Sequence, residues 1–311
     1  MSNITIFTAP KPFSDPHINI IQRNAIQSWK YLGPRAEVFL IGNEDGMKET
    51  AVELGVRQLP DVVRNELGTP LVSSIFNLAR EAASHNILIY LNADIILLPE
   101  CLDVIDEISE RCEEFLLVGR RWNLDIKNEI DFSGDWIGDI GLKMTEENAP
   151  RSDKAMDYFI FPRQLFRNIP PFAIGRAGWD NWMIYHAVQQ PWPVIDITPS
   201  HRVIHQNHGY THLPNGVVHF NLEESHQNVS LAGGIRTSYD LLDVRSTYIN
   251  GKICRKKLSL ARLLQKLERI VIPMDQKGWR WQFTLFLRGT RRKLSKLRRK
   301  YGKIWNESSP K

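Results

Sequence analysis

The chain is predicted to fold as an α/β domain with a mostly parallel sheet flanked by helices. Short β-branched or apolar runs alternate with helical stripes over residues 4–91, the succession that builds a parallel sheet between two helix layers. Ile87 to Leu91 is apolar almost throughout, the pattern of a strand covered on both faces. The 311 residues are 42% hydrophobic and 24% charged, enough for one large soluble domain with an appendage. Disorder and coiled coil are excluded on the same grounds.

Ile4 to Ala9 reads as a strand closed by Pro10 and Pro12. Ile18 to Tyr31 puts Ile18, Ile21, Ala25, Ile26 and Trp29 on one helical stripe, ended by Gly33-Pro34. Glu37–Ile41 follows as a strand, Lys48–Leu54 as a short helix and Val56–Leu59 as a third strand. Leu71–Ala83 is a helix with Ile75, Leu78, Ala79 and Ala82 inward, and Ile87–Leu91 completes the succession. Pro99–Cys112 is expected to be helical, and Phe115–Val118 a strand leading into Gly119-Arg120-Arg121-Trp122. The polar, glycine-containing stretch Glu129–Pro150 is expected to form a loop region over the ligand site. Asp157–Phe161 reads as a strand, Gly178–Val188 as a helix, and 193–220 as short strands and turns.

The boundary is expected near residue 250, with a main domain over 1–250 and a basic helical extension over 251–311. That extension holds 19 Lys/Arg against Glu268, Asp275 and Glu307, whereas the first 250 residues hold 21 Lys/Arg against 32 acids. From Trp279 onward aromatic and leucine residues interleave with nine basic residues between Arg288 and Lys303. A helix of that composition can lie on an anionic bilayer. A solvated extension is the plainer reading, and nucleic-acid binding is not expected because no recognised motif accompanies the charge. Cys101, Cys112 and Cys254 form no C-x-x-C pair, which points away from a disulfide framework and toward a reducing compartment. The N-terminus has no signal-peptide pattern, and no run of about 18 apolar residues occurs, so a cytoplasmic location is expected, with a peripheral place on the inner membrane face as an option.

In parallel α/β sheets ligands collect beyond the carboxyl ends of the strands. Asn92-Ala93-Asp94 stands there, directly after the buried strand. A carboxylate so placed can bridge a divalent metal to phosphate oxygens. A plain Asx turn is the competing explanation. The segment resembles the DXD motif of GT-A-fold glycosyltransferases, with Asn92 in place of the first Asp, and the comparison extends over roughly residues 4–220. The resemblance implies a GT-A-like fold and transfer of a sugar from a nucleotide-diphosphate donor to an acceptor hydroxyl. It further implies a divalent cofactor, Mn²⁺ or Mg²⁺, at Asp94, with Asn92 orienting the donor.

Asp180 follows the glycine-rich stretch Ile174 to Gly178 and opens a helix, where the dipole favours an ionised acid. Similar enzymes carry the base of an inverting transfer there; a capping carboxylate is the alternative. Trp179 and Trp182 are candidates for stacking on the acceptor sugar or for plain packing, with packing expected for at least one, and Asp157 is a candidate for binding the sugar's hydroxyls. Four histidines, His201, His205, His208 and His212, are spaced for one helical face, which keeps a zinc site open. Pro199, Gly209 and Pro214 around them argue for strand and loop instead. GT-A enzymes return a late ligand to the metal, and Val203-Ile204-His205 resembles that element, so His205 is expected as ligand, with His208 second, as a ligand or as a contact to phosphate. His201, His212, His219 and His226 are expected to be structural or superficial. Residues 203–212 also resemble a His-Gln-Asn-His-x-Tyr signature of bacterial glycosyltransferase-like proteins.

The resemblance assigns the donor loop to Thr8, Ala9 and Pro10, with Lys11 following, and a nucleotide or sugar contact to Gly68 and Thr69. Gly68-Thr69-Pro70 also fits an ordinary helix start with proline in the first turn. The implied partners are a nucleotide-sugar donor and a saccharide or lipid-linked saccharide acceptor. Two other readings stay open. One is a sugar-phosphate nucleotidyltransferase; the other is a non-catalytic carbohydrate- or membrane-binding module derived from such an enzyme, suggested by Asn92 and Asn181.

Overall fold

The computed structural model describes residues 1–147, 156–208 and 221–307, and side chains through residue 294. The first half follows the expected alternation: β1 (Ile4–Thr8), α1 (Pro16–Lys30), β2 (Ala36–Ile41), α2 (Met47–Leu54), β3 (Arg57–Leu59), α3 (Val72–Ala82) and β4 (Ile87–Leu91). Asp15 caps α1 by accepting from the Ile18 N–H, with Pro16 at the first helical position. Then come β5 (Ile95–Leu97), α4 (Cys101–Ser109), β6 (Leu116–Val118), β7 (Arg121–Leu124), α5 (Trp136–Glu146) and β8 (Tyr158–Pro162). The chain continues through α6 (Trp179–Val188), β9 (Val194–Asp196), β10 (Val203–Gln206) and α7 (Glu223–Leu231). It ends in the hairpin strands β11 (Ser246–Ile249) and β12 (Lys252–Arg255), then α8 (Leu260–Val271) and α9 (Gly278–Glu307).

Among the described residues nine strands form one sheet in the order β12-β11-β9-β6-β8-β4-β1-β2-β3. It is mostly parallel, as expected; β8 runs antiparallel to β4 and β6, and β12 antiparallel to β11. Two apolar layers sandwich it. On one side Ile26 and Trp29 of α1 and Ile105 of α4 pack on β1, β2 and β4. On the other, Phe76 of α3 and Met183 and Ile184 of α6 do the same. Burial of both faces accounts for the near-continuous apolar strands.

A second sheet, β5-β10-β7, determines where the site lies. β5 begins one residue after Asp94, and β10 pairs antiparallel to it with His205 opposite Ile95. The buried side chains of Asn24 and Gln206 bond to each other at 3.0 Å and to backbone carbonyls, fixing β10 against α1. A late strand is thereby held beside the loop that closes β4.

Two expectations need correction. Part of Glu129–Pro150 is the helix α5, and its Trp136 and Ile140 pack on Ile96, Leu124 and Ile204 of the small sheet, away from the cleft. The apolar residues that do this are spaced four apart within a polar stretch, which masked their period. The expected boundary at residue 250 falls in the turn between β11 and β12, so the main sheet runs on into the C-terminal region. His212 and His219, and the end of the expected loop at 148–150, lie outside the described residues.

The C-terminal helices are tied to the body by charge. Glu268 of α8 is 2% exposed and accepts from Arg288 at 2.5 Å and Arg291 at 3.0 Å. Arg262 donates to the carbonyls of Leu242, Val244, Lys256 and Lys257. Removing one member of a buried charge cluster leaves the others uncompensated. Glu268→Ala is therefore expected to lower unfolding free energy by about 3–5 kcal/mol, read as a shift of the urea midpoint.

Candidate active site

The carboxyl ends of β1 and β4, the start of α6, β10 and the two C-terminal helices surround one cleft with a cavity of about 1100 Å³. Such a volume exceeds the usual single-ligand range and has room for a two-part ligand.

At its centre stand Asp94, His205 and His208. His208 Nε2 lies 3.0 Å from Asp94 Oδ2, and His205 Nε2 lies 3.6 Å from the same oxygen. One ligand atom from each residue falls within 4.8 Å of the other two. Burial alone would raise the Asp94 carboxyl, but the charges and hydrogen bonds of His205 and His208 hold it well below the usual carboxylate range. Asp94 Oδ1 and His205 Nδ1 are buried without hydrogen-bond partners. Asp94 Oδ1, a buried acceptor left open in this way, fits a cation, because unpaired it costs free energy. The donor set, two imidazoles and a carboxylate, suits Mn²⁺ better than Mg²⁺, which favours oxygen ligands.

Asn92 is occupied elsewhere. Its Oδ1 accepts from the Tyr90 hydroxyl at 2.9 Å, and its Nδ2 donates to Asp157 Oδ1 at 2.8 Å. The expected role in orienting the donor is thus not what its amide does here; it braces Asp157. Asp157 also receives Arg121 at 2.5 Å, leaving Oδ2 unpartnered. Burial raises the Asp157 carboxyl despite Arg121. The amide presents a donor to Asp157 and an acceptor to Tyr90 at once, whereas an ionised carboxylate can only accept. Asn92→Asp, which would restore the common form of the motif, opposes two carboxylates in a buried place. It is expected to destabilise the fold by about 1–3 kcal/mol, measurable by chemical denaturation at neutral pH.

Asp180 lies in the first turn of α6. The turn before it needs Gly178, whose φ is +107° and where a Cβ would meet Val229 Cγ2 at 3.3 Å. Burial pushes the Asp180 carboxyl up to about 6; the backbone N–H groups of Asn181, Asp180 and Gly178 oppose this and the charge of Asp157 adds to it. Asn181 donates to the Tyr239 carbonyl at 2.7 Å and so ties α6 to the following segment. Trp179 borders the cleft but is 5% exposed, packed edge-on against Tyr90 with centroids 5.2 Å apart. Most of its ring is core, which leaves little of it to stack on a sugar.

Ala9, Pro10, Gly68 and Thr69 all line the cleft. Thr8 does not; it is fully buried, with an unpartnered Oγ1 beneath the wall. Thr8 is the last residue of β1 and stays within the core, whereas the cleft wall is formed by the loop that begins after it. Lys11 is on the wall too, its ammonium pKa lowered by burial against the opposing pull of Asp94 and Asp15. Arg64 is held by Glu44 at 2.7 Å and the Gly68 carbonyl at 2.9 Å. Of the remaining histidines, His201 is buried, with burial pulling its pKa down to about 3, and His226 is exposed.

The sequence reading did not anticipate the far wall. Asp240, Glu268, Arg269, Arg288, Arg291 and Arg292 border the same cleft. Their only signal in the sequence was a run of basic residues, which reads equally well as a solvated or membrane-facing tail.

No family model matches the chain, and no curated protein does. Solved structures similar to it include glucosyl-3-phosphoglycerate synthase from Mycobacterium tuberculosis in complex with Mg²⁺ and uridine diphosphate. That match has a TM-score of 0.47 at 15% identity, covering 83% of this chain and 89% of the other. The same synthase with Mn²⁺, uridine diphosphate and phosphoglyceric acid aligns with a TM-score of 0.46 at 16% identity, over 83% and 88% of the two chains. A mycobacterial protein aligns with a TM-score of 0.45 at 13% identity, over 75% and 76%. The likeness is loose, and the chemistry of the cleft has to be argued from its own residues.

Proposed function

We propose that the chain is a glycosyltransferase that moves a sugar from a nucleotide-diphosphate donor to an acceptor hydroxyl with inversion, using Mn²⁺ in preference to Mg²⁺. One observation carries the reading: the Asp94–His205–His208 cluster and the raised carboxyl of Asp180 border the same cleft at the carboxyl edge of the sheet.

Asp94, His205 and His208 would hold the metal, which when bound supplies positive charge against the departing diphosphate. Ala9, Pro10, Gly68 and Thr69 form the wall for the nucleotide, and the Lys11 ammonium adds positive charge beside Asp94. Asp180 accepts the proton of the acceptor hydroxyl as its oxygen bonds to the anomeric carbon. The bond from that carbon to the diphosphate oxygen breaks in the same step, and the electron pair leaves with the diphosphate. A carboxyl poised near 6 is ionised at neutral pH yet basic enough to take a proton in the transition state.

The acceptor side is proposed for a saccharide, free or lipid-linked, and its arginine-bearing wall suits one carrying phosphate or carboxylate. A cytoplasmic location, which suits the three free thiols, is part of the proposal.

A thermal-shift screen of nucleoside diphosphates and their sugar conjugates, with and without Mn²⁺, tests the reading. At least one conjugate is expected to raise the melting temperature in a Mn²⁺-dependent way and to be hydrolysed or transferred. Binding without turnover by any conjugate would favour a non-catalytic module, and no Mn²⁺-dependent shift from any of them would remove the metal-diphosphate reading altogether.

A further inference from the structure

We propose that the outer face of the α8–α9 hairpin seats on an anionic lipid bilayer. The inference rests on surface composition and stands whether or not the cleft is a glycosyltransferase.

The helix α8 is built inside out. Arg262, Gln265 and Glu268, spaced three apart, are its buried residues. The opposite stripe is Leu260, Leu263, Leu267 and Ile270, all exposed, Ile270 to 72%. In a helix that packs on a core the polarity is the reverse. The polar side is held by many bonds: Arg262 reaches four carbonyls, Gln265 donates to Asp240 and Asp243, and Glu268 holds Arg288 and Arg291. This fixes the rotation of α8, so the leucines cannot turn inward without breaking that network.

The helix α9 also turns apolar residues outward. Thr284 and Leu287 are its buried residues, and Arg288 and Arg291 lean on Glu268. Trp279, Phe283 and Phe286, spaced four and three apart, are exposed, Trp279 to 74% and Phe286 to 65%. Among the described residues nothing covers either stripe. Exposed apolar stripes of this kind mark an interaction site.

Charge selects the partner. Lys257, Lys266, Lys277, Arg280, Arg292 and Lys293 are exposed on the same two helices and the segments that flank them. Over residues 251–311, 19 Lys/Arg meet only three acids. A second copy packed through the same face would bring the same cations against these, whereas an anionic headgroup layer complements them. Leucine and aromatic stripes bordered by Lys and Arg are the composition of helices that lie in the bilayer interface. Among the described residues no helix is long and apolar enough to cross a membrane, so the contact is one of lying on it. The same hairpin walls the cleft through Arg288, Arg291 and Arg292.

The full chain should be sedimented with vesicles of equal parts phosphatidylcholine and phosphatidylglycerol, and with vesicles of phosphatidylcholine alone. The expected result is partition onto the anionic vesicles, at least about tenfold stronger than onto neutral ones, and weakening as salt is raised. The triple substitution Leu263→Gln, Leu267→Gln, Ile270→Gln should reduce that partition about tenfold or more while leaving the melting temperature unchanged or higher, because these side chains point outward. A second variant, Lys266→Glu with Lys293→Glu, should weaken binding to the anionic vesicles without altering the fold. Failure of the wild-type chain to bind anionic vesicles overturns the proposal, as does equal binding to neutral ones. A dimer by light scattering that the triple substitution dissolves, in a chain that ignores vesicles, would assign the face to self-association instead.

Discussion

Asp94→Ala is expected to reduce sugar transfer by a factor on the order of 10²–10³ and to abolish the Mn²⁺-dependent part of donor binding. On the proposed function, the size follows from loss of the carboxylate that would hold the metal, whose charge would oppose the negative charge developing on the leaving diphosphate. Asp94 is the shared partner of both histidines, at 3.6 and 3.0 Å, so its removal disperses the cluster. Titration of Mn²⁺ against the variant, followed by calorimetry or by electron paramagnetic resonance of the free ion, reads the metal directly. Retained Mn²⁺ affinity in Asp94→Ala would place the metal elsewhere in the cleft. The fold should survive, since the substitution also removes an unpartnered buried oxygen.

Asp180→Asn is expected to lower the turnover rate by about 10²–10⁴-fold while leaving donor affinity near that of the wild type. Loss of donor affinity together with rate would make Asp180 a binding group instead of a base. The wild-type rate should fall about tenfold per unit below a pH of about 6, because protonation of Asp180 removes the base. The variant's residual rate should lack that step. Stability moves the other way. A carboxyl whose pKa is raised on folding contributes most below its unfolded value, and the contribution is lost as pH rises through about 6. At neutral pH the ionised, buried Asp180 is therefore a cost, and Asp180→Asn is expected to stabilise the fold by about 1–2 kcal/mol. A melting temperature that rises while activity disappears is what a base held in an unfavourable place predicts.

Much of the site was legible because its parts are local in sequence. Asp94 stands just beyond a strand whose burial shows in five successive apolar residues, and Asp180 follows a glycine that its turn requires. His205 and His208 were readable from a β-branched pair followed by two histidines three apart. What escaped depended on long-range partners. Nothing near Asn92 in the chain announces Asp157, 65 positions later, as the group its amide would brace. The sequence leaves Trp179 between a sugar platform and a packing residue, and only Phe76, Tyr90 and Phe159, from three other elements, show that most of it packs. Thr8 sits one residue before the cleft wall, as the last residue of a strand that stays within the core.

The sequence by itself determined the order of strands and helices from β1 to β4, the sheet's parallel character and the acid just beyond β4, because propensity, burial period and turn chemistry act over a few residues. Only the tertiary structure decided which acids and histidines share a cleft, and that α8 turns its charges inward and its leucines out. Those outcomes depend on pairings such as Glu268 with Arg288 and Arg291, made between segments that a linear pattern treats as independent. A buried charge must find its partners wherever the fold brings them, and the apolar side of the helix then goes where space remains.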